Sequence, residues 1–217
     1  MMGGTGLGFA ATKVAARRGA NVRYLLQEGQ WWRLFTANFL HGFWLHILLN
    51  GVALMSLGSV VERLLGARRF LLVYLVSAVA GSLASSGLSG SELSLGASTS
   101  IFGLFGSFAA LSYFHRHHLP PGLEQCRTWW VVILGINFSL GFVPIVDGWA
   151  HAGGFVAGVV TTMAVYPMRG RLQFNLPMPK GQLVALYGTV AAFTVAGFLM
   201  VNEAMRNPTY PELIANL

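Results

Sequence analysis

Six predominantly apolar stretches of about 20 residues each run along this chain, and no other feature limits its fold as much. Wound as a helix, a run of about 20 such residues matches the roughly 30 Å hydrocarbon core of a bilayer, and lipid admits only helices or closed barrels as spanning structures. The stretches lie at about 38–60, 70–89, 97–114, 129–146, 149–167 and 183–201. They are too continuously apolar for the in–out alternation of a barrel strand. The fold expected is therefore all-α, a polytopic transmembrane helical bundle of about six spans. Only 10% of the 217 residues are charged, whereas soluble domains hold about 25%.

A formal net charge of +7 would suggest nucleic acid as the partner of a soluble protein. Here the basic residues sit between apolar runs, so the expected partner is the lipid bilayer and not nucleic acid. Arg63, Arg68 and Arg69 follow the first span, Arg116 and Arg127 the third, and Arg169, Arg171 and Lys180 the fifth. The connections around 85–95 and 141–148 contain no Lys or Arg. By the positive-inside rule the first, third and fifth spans run from outside to inside. His46 and Asn50, Ser98, and His151 then fall near the starts of those three spans, at one depth near the outer face. Lys13, Arg17, Arg18, Arg23 and Arg33 precede the first span and oppose this bias; a membrane-surface segment with Trp31 and Trp32 as interfacial anchors accommodates them. His115, His117 and His118 are expected to face the headgroups.

The polar residues at the shared depth have both chemical and structural readings. His46 and Asn50, one turn apart on a helix face, can both donate to a developing oxyanion. They are also residue types that bridge membrane helices. Ser98 follows Gly96-Ala97 and stands at a helix N-terminus, where a serine serves as a cap or as a nucleophile beside free backbone N–H groups. Gly103 and Gly106 thin the same helix. His151 lies in Trp149-Ala150-His151-Ala152-Gly153-Gly154, and Gly154 and Gly158 form a small face suited to close helix contact. If the neighbour is the Ser98 helix, an imidazole with a reference pKa of about 6.5 can take the serine proton. The acids Glu28, Glu62, Glu92, Glu124, Asp147, Glu203 and Glu212 all fall in expected loops or at span edges. That disfavours an aspartyl dyad or a carboxylate proton relay, leaves a Ser–His dyad, and makes Asp147 a candidate helix cap. His41 and His46 lack a His-Glu-x-x-His pattern, and the single Cys126 excludes a multi-cysteine site, so no metal or cofactor is expected. Phe102, four residues after Ser98, is placed beside the site.

These motifs resemble those of the rhomboid intramembrane serine proteases. Trp32-Arg33 with Phe39-Leu40-His41 is similar to the family's first-loop signature, and His46-x-x-x-Asn50 to its second-helix motif. Gly96-Ala97-Ser98 with Ile101-Phe102-Gly103 resembles the nucleophile motif. Asp147-Gly148-Trp149-Ala150-His151-Ala152-Gly153-Gly154 resembles the base motif. The match covers about residues 19–165. It implies Ser98 as nucleophile, His151 as general base, and His46, Asn50 and the Ser98 backbone N–H as the oxyanion hole. It also implies single-pass membrane proteins as substrates, cleaved in or beside the transmembrane segment, and a site open to the outer face of a bacterial inner membrane.

Two departures from the family pattern bear on this. Thr99 stands where the family usually has glycine, and is expected to loosen the contact between the Ser98 and His151 helices. The family core also has a helix before the first loop, which residues 1–18 do not supply; either Met1–Ala11 is the tail of a truncated one, the reading favoured, or the protein lacks that helix and its N-terminus starts outside. The alternative function is then a catalytically inactive relative that binds membrane-protein helices. A solute transporter would need paired halves or mid-membrane charge, and has neither. The organisation expected is an N-terminal segment and surface loop at 1–37, a catalytic core at 38–167, a cytoplasmic linker at 168–182, an additional helix at 183–201 and a tail at 202–217.

Overall fold

The computed structural model describes residues 13–89, 93–117, 119, 121–140, 146–169, 173 and 176–206. The helix tail expected within 1–11, His118 and most of the connection at 141–148 lie outside them. Two two-residue strands, β1 (Asn21–Val22) and β2 (Leu93–Ser94), pair antiparallel, with Asn21 opposite Ser94. Short helices α1 (Arg23–Gln27) and α2 (Arg33–Thr36) follow β1. The long helices are α3 (Trp44–Leu65), α4 (Ala67–Leu88), α5 (Ser98–Phe114), α6 (Pro121–Leu140), α7 (Gly148–Val165) and α8 (Lys180–Arg206). The helical bundle expected from hydropathy is thus the architecture observed, with one long helix for each apolar stretch.

The boundaries differ where backbone chemistry overrides hydropathy. The first span begins at Trp44 and not near 38, because residues 37–39 form a 3₁₀ turn and Asn38 Nδ2 donates to Leu34 O at 2.8 Å. Residues 38–43 thus extend the surface loop. α6 starts at Pro121, earlier than 129, since proline fits a first helical turn that needs no N–H partner. Gly66 alone separates α3 from α4, at φ 80°, a backbone conformation costly to any residue with a Cβ.

α5 lies at the centre, with α4 and α7 packed along it; residues 99–108 are buried throughout. Contact is close because glycine faces backbone. A Cβ on Gly158 would strike the carbonyl oxygen of Gly103, and one on Gly154 the carbonyl oxygen of Thr99. Apolar side chains on the outer faces, such as Trp44 on α3, Trp129 on α6 and Val184 on α8, are exposed and suit a lipid surround.

The N-terminal segment is held by one buried cation. Arg33 is fully enclosed: Nε donates to Gln30 Oε1 at 2.8 Å and Nη1 to the carbonyls of Ala16 and Ala20 at 2.7 and 2.8 Å. Its guanidinium lies over the Trp32 ring, 4.5 Å from the centroid. Arg33 and Trp32 are therefore core residues of the surface segment, and Trp31, which is exposed, is the one placed to meet an interface. His115 likewise departs from expectation: it is buried against Tyr166, and its Nε2 lies 3.0 Å from Pro167 O, so it joins α5 to the end of α7.

Candidate active site

Ser98 opens α5 and His151 lies in the first turn of α7, and the packing of these helices brings them together. His151 Nε2 stands 3.0 Å from Ser98 Oγ, within hydrogen-bond reach. The imidazole is buried and stacks on Phe102, with ring centroids 4.0 Å apart and planes 10° from parallel. One turn along α5 from Ser98, that ring fixes the imidazole plane. Among the described residues, His151 Nδ1 has no hydrogen-bond partner.

Asp147 does not supply one. Its Oδ1 accepts from Ala150 N at 3.0 Å as the N-cap of α7, and its Oδ2 accepts from Ser85 Oγ. Both oxygens hold helix ends in place, in keeping with the capping role expected of it.

Gly96 shapes the space in front of the serine. It has φ 125°, and a methyl group placed on it would stand 2.9 Å from His46 Nε2 and 3.7 Å from Ser98 Oγ. Any side chain there would close the gap between His46 and the serine. Gly96 N donates to Ala37 O at 3.0 Å, so the surface loop holds the turn that presents Ser98. Asn50 follows His46 by one turn of α3, and its Nδ2 is enclosed with no partner among the described residues. A buried amide donor left unpaired costs about 1–3 kcal/mol, a cost that a ligand oxygen would remove. His41 packs edge-on against His46, with centroids 5.0 Å apart, and burial lowers its pKa from the ordinary histidine value.

The loosening expected of Thr99 is not what the structure contains. Its side chain is buried over Gly81 of α4, and Oγ1 donates to Asn38 Oδ1 at 2.6 Å. Its main chain lies against Gly154 of α7, and the helices remain in close contact there. Asn38, which the sequence reading passed over, also donates to Ser82 Oγ at 3.2 Å. An asparagine within an apolar loop carries no periodicity that would mark it in the sequence.

Fold and site together define a class: an integral membrane helical bundle with a serine and a histidine in contact at one end of its central helix. The Rhomboid domain model matches residues 28–168, and the chain belongs to the rhomboid family. It is 38% identical over 159 residues to the rhomboid protease GluP of Bacillus subtilis, covering 73% of this chain and 31% of that one. It is 31% identical over 202 residues to the RHOMBOID-like protein 4 of Arabidopsis thaliana, with coverage of 89% and 51%. A third relative, the Rhomboid-type serine protease 2 of Emericella nidulans, is 32% identical over 167 residues, covering 75% of this chain. The chain spans between 31% and 51% of the length of these three relatives.

Proposed function

We propose that this protein is an intramembrane serine endopeptidase in which Ser98 is the nucleophile and His151 the general base. The observation that carries the reading is the 3.0 Å approach of His151 Nε2 to Ser98 Oγ. With the ring proton on Nδ1, Nε2 accepts the serine proton as Oγ attacks a carbonyl carbon, and returns it to the leaving amine. The engagement of both Asp147 oxygens elsewhere favours a dyad over a triad.

The developing oxyanion needs donors, and His46, Asn50 and the Ser98 backbone N–H are those proposed. Each is worth on the order of 3 kcal/mol in the transition state. The unpaired Asn50 Nδ2 supports this role, because the amide stands ready without having to break a bond first. The substrate is a single-pass membrane protein whose helix unwinds at the site, since an intact helix uses its own carbonyls. The site opens to the outer face of a bacterial inner membrane, and residues 38–167 form the catalytic core; the loop charge pattern supports that orientation.

The test is cleavage of a model transmembrane substrate in liposomes, with labelling by a fluorophosphonate probe. Ser98→Ala abolishes both while the helical content is retained. A folded wild-type chain that neither cuts nor labels would favour the non-catalytic helix-binding alternative, and cleavage surviving in Ser98→Ala would remove the assignment.

A further inference from the structure

The cleft between α5 and α6 is a second concave feature, remote from Ser98. Phe105, Phe108, Trp130 and Leu134 form its walls and Tyr113 and Arg127 stand at one end, around a cavity of about 190 Å³. That is larger than the roughly 150 Å³ apolar cavity that stays dry in a protein core and takes up small hydrocarbons. α5 runs from Ser98 to Phe114, so Tyr113 marks the end of the bundle opposite the serine and histidine. There a second guanidinium, that of Arg116, lies over the Tyr113 ring at 5.4 Å from its centroid. The cleft is therefore amphipathic: aromatic and aliphatic along its length, cationic at its rim.

We propose that this cleft is a binding site for an anionic phospholipid, with one acyl chain along Phe105, Phe108, Trp130 and Leu134 and the phosphate against Arg116 and Arg127. The other candidate occupants fit less well. Water would find almost no polar partners along those walls, and an empty site of this character draws hydrocarbon instead. A zwitterionic lipid would fill the walls equally but bring no net charge to the two guanidiniums, whereas basic pockets between membrane helices favour anionic headgroups. The inference rests on α5 and α6 alone and holds whether or not Ser98 is a nucleophile.

The test uses the full chain in phosphatidylcholine vesicles doped with phosphatidylglycerol or phosphatidylcholine carrying brominated acyl chains. Quenching assigned to Trp130 is taken as the difference between wild type and Trp130→Phe. Brominated phosphatidylglycerol is expected to half-quench at a mole fraction on the order of tenfold lower than brominated phosphatidylcholine, given what a basic residue near the bilayer surface contributes to binding an anionic lipid. The double variant R116Q/R127Q, checked for helicity, removes that preference. Equal quenching by the two lipids, a preference that survives in the double variant, or no Trp130 quenching by either would overturn the proposal. Should Trp130→Phe fail to fold, native mass spectrometry of lipid retained by wild type and by R116Q/R127Q reads the same preference.

Discussion

Thr99 shows how far one side-chain orientation outweighs residue type. A β-branched residue beside the nucleophile suggests crowding toward α7, yet its hydroxyl is committed to Asn38 and the serine and histidine remain in contact. The pair ties the surface loop to the first turn of α5, in parallel with the Gly96–Ala37 main-chain bond. Thr99→Val keeps the shape and removes the donor, leaving the Asn38 carbonyl short of a partner at a cost of about 1–3 kcal/mol. Thermal unfolding in detergent should show that loss, and a double-mutant cycle with Asn38→Ala should be non-additive by about 1 kcal/mol. Additive effects would mean that the bond contributes nothing. At this scale spacing and a shared expected depth nominate Ser98, His151, His46 and Asn50. They do not nominate Asn38, because its partner is 61 residues away.

At the scale of elements, α5 is the short member of the bundle. Its 17 residues rise roughly 25 Å at 1.5 Å each, less than a hydrocarbon core of about 30 Å. Its packing against α7 brings the two helices almost backbone to backbone at Gly103 and Gly158. Gly158→Val would drive a side chain into the Gly103 carbonyl, and a clash against main chain, which cannot swing aside, should exceed the roughly 1–3 kcal/mol of ordinary overpacking. The expected result is a lower melting temperature together with loss of Ser98 probe labelling, as the first turn of α7 moves away. Unchanged melting would show that the helices lie farther apart than described. The small face of α7 was readable as a contact stripe; which helix it meets was not, since α4, α5 and others offer similar stripes.

Across the whole molecule, Arg69 joins parts far apart in the chain. It is buried at the start of α4, where Nε donates to Val165 O at 2.9 Å, Nη1 to Leu176 O at 2.7 Å and Nη2 to Pro177 O at 2.8 Å. Nε also reaches Gln182 Oε1 at 3.1 Å, and Gln182 Nε2 donates to Val165 O at 3.0 Å. The end of α7, the following segment and the start of α8 are thereby gathered on one guanidinium. Farther along α8, Phe193 packs edge-on against Phe35 and Phe39 of the surface segment, with centroids 4.9 and 5.9 Å away. Arg69→Met strands the carbonyls of Leu176 and Pro177 at about 1–3 kcal/mol each, and Arg69→Lys restores only part of the fork. Limited proteolysis should open the stretch 168–182 rapidly in the methionine variant and at an intermediate rate in the lysine variant; wild-type resistance in both would refute this clamp. Sequence reading had placed Arg69 among cytoplasmic loop charges, because charge bias records how many cations a loop holds and not which of them turn inward. Hydropathy establishes a membrane bundle from local composition, and motif spacing nominates the four polar residues, since helical periodicity is a property of neighbours along the chain. Which helices touch, which cations are enclosed, and whether Thr99 faces its partner or the site are set by contacts across 50 to 100 residues, and those exist only once the helices have packed.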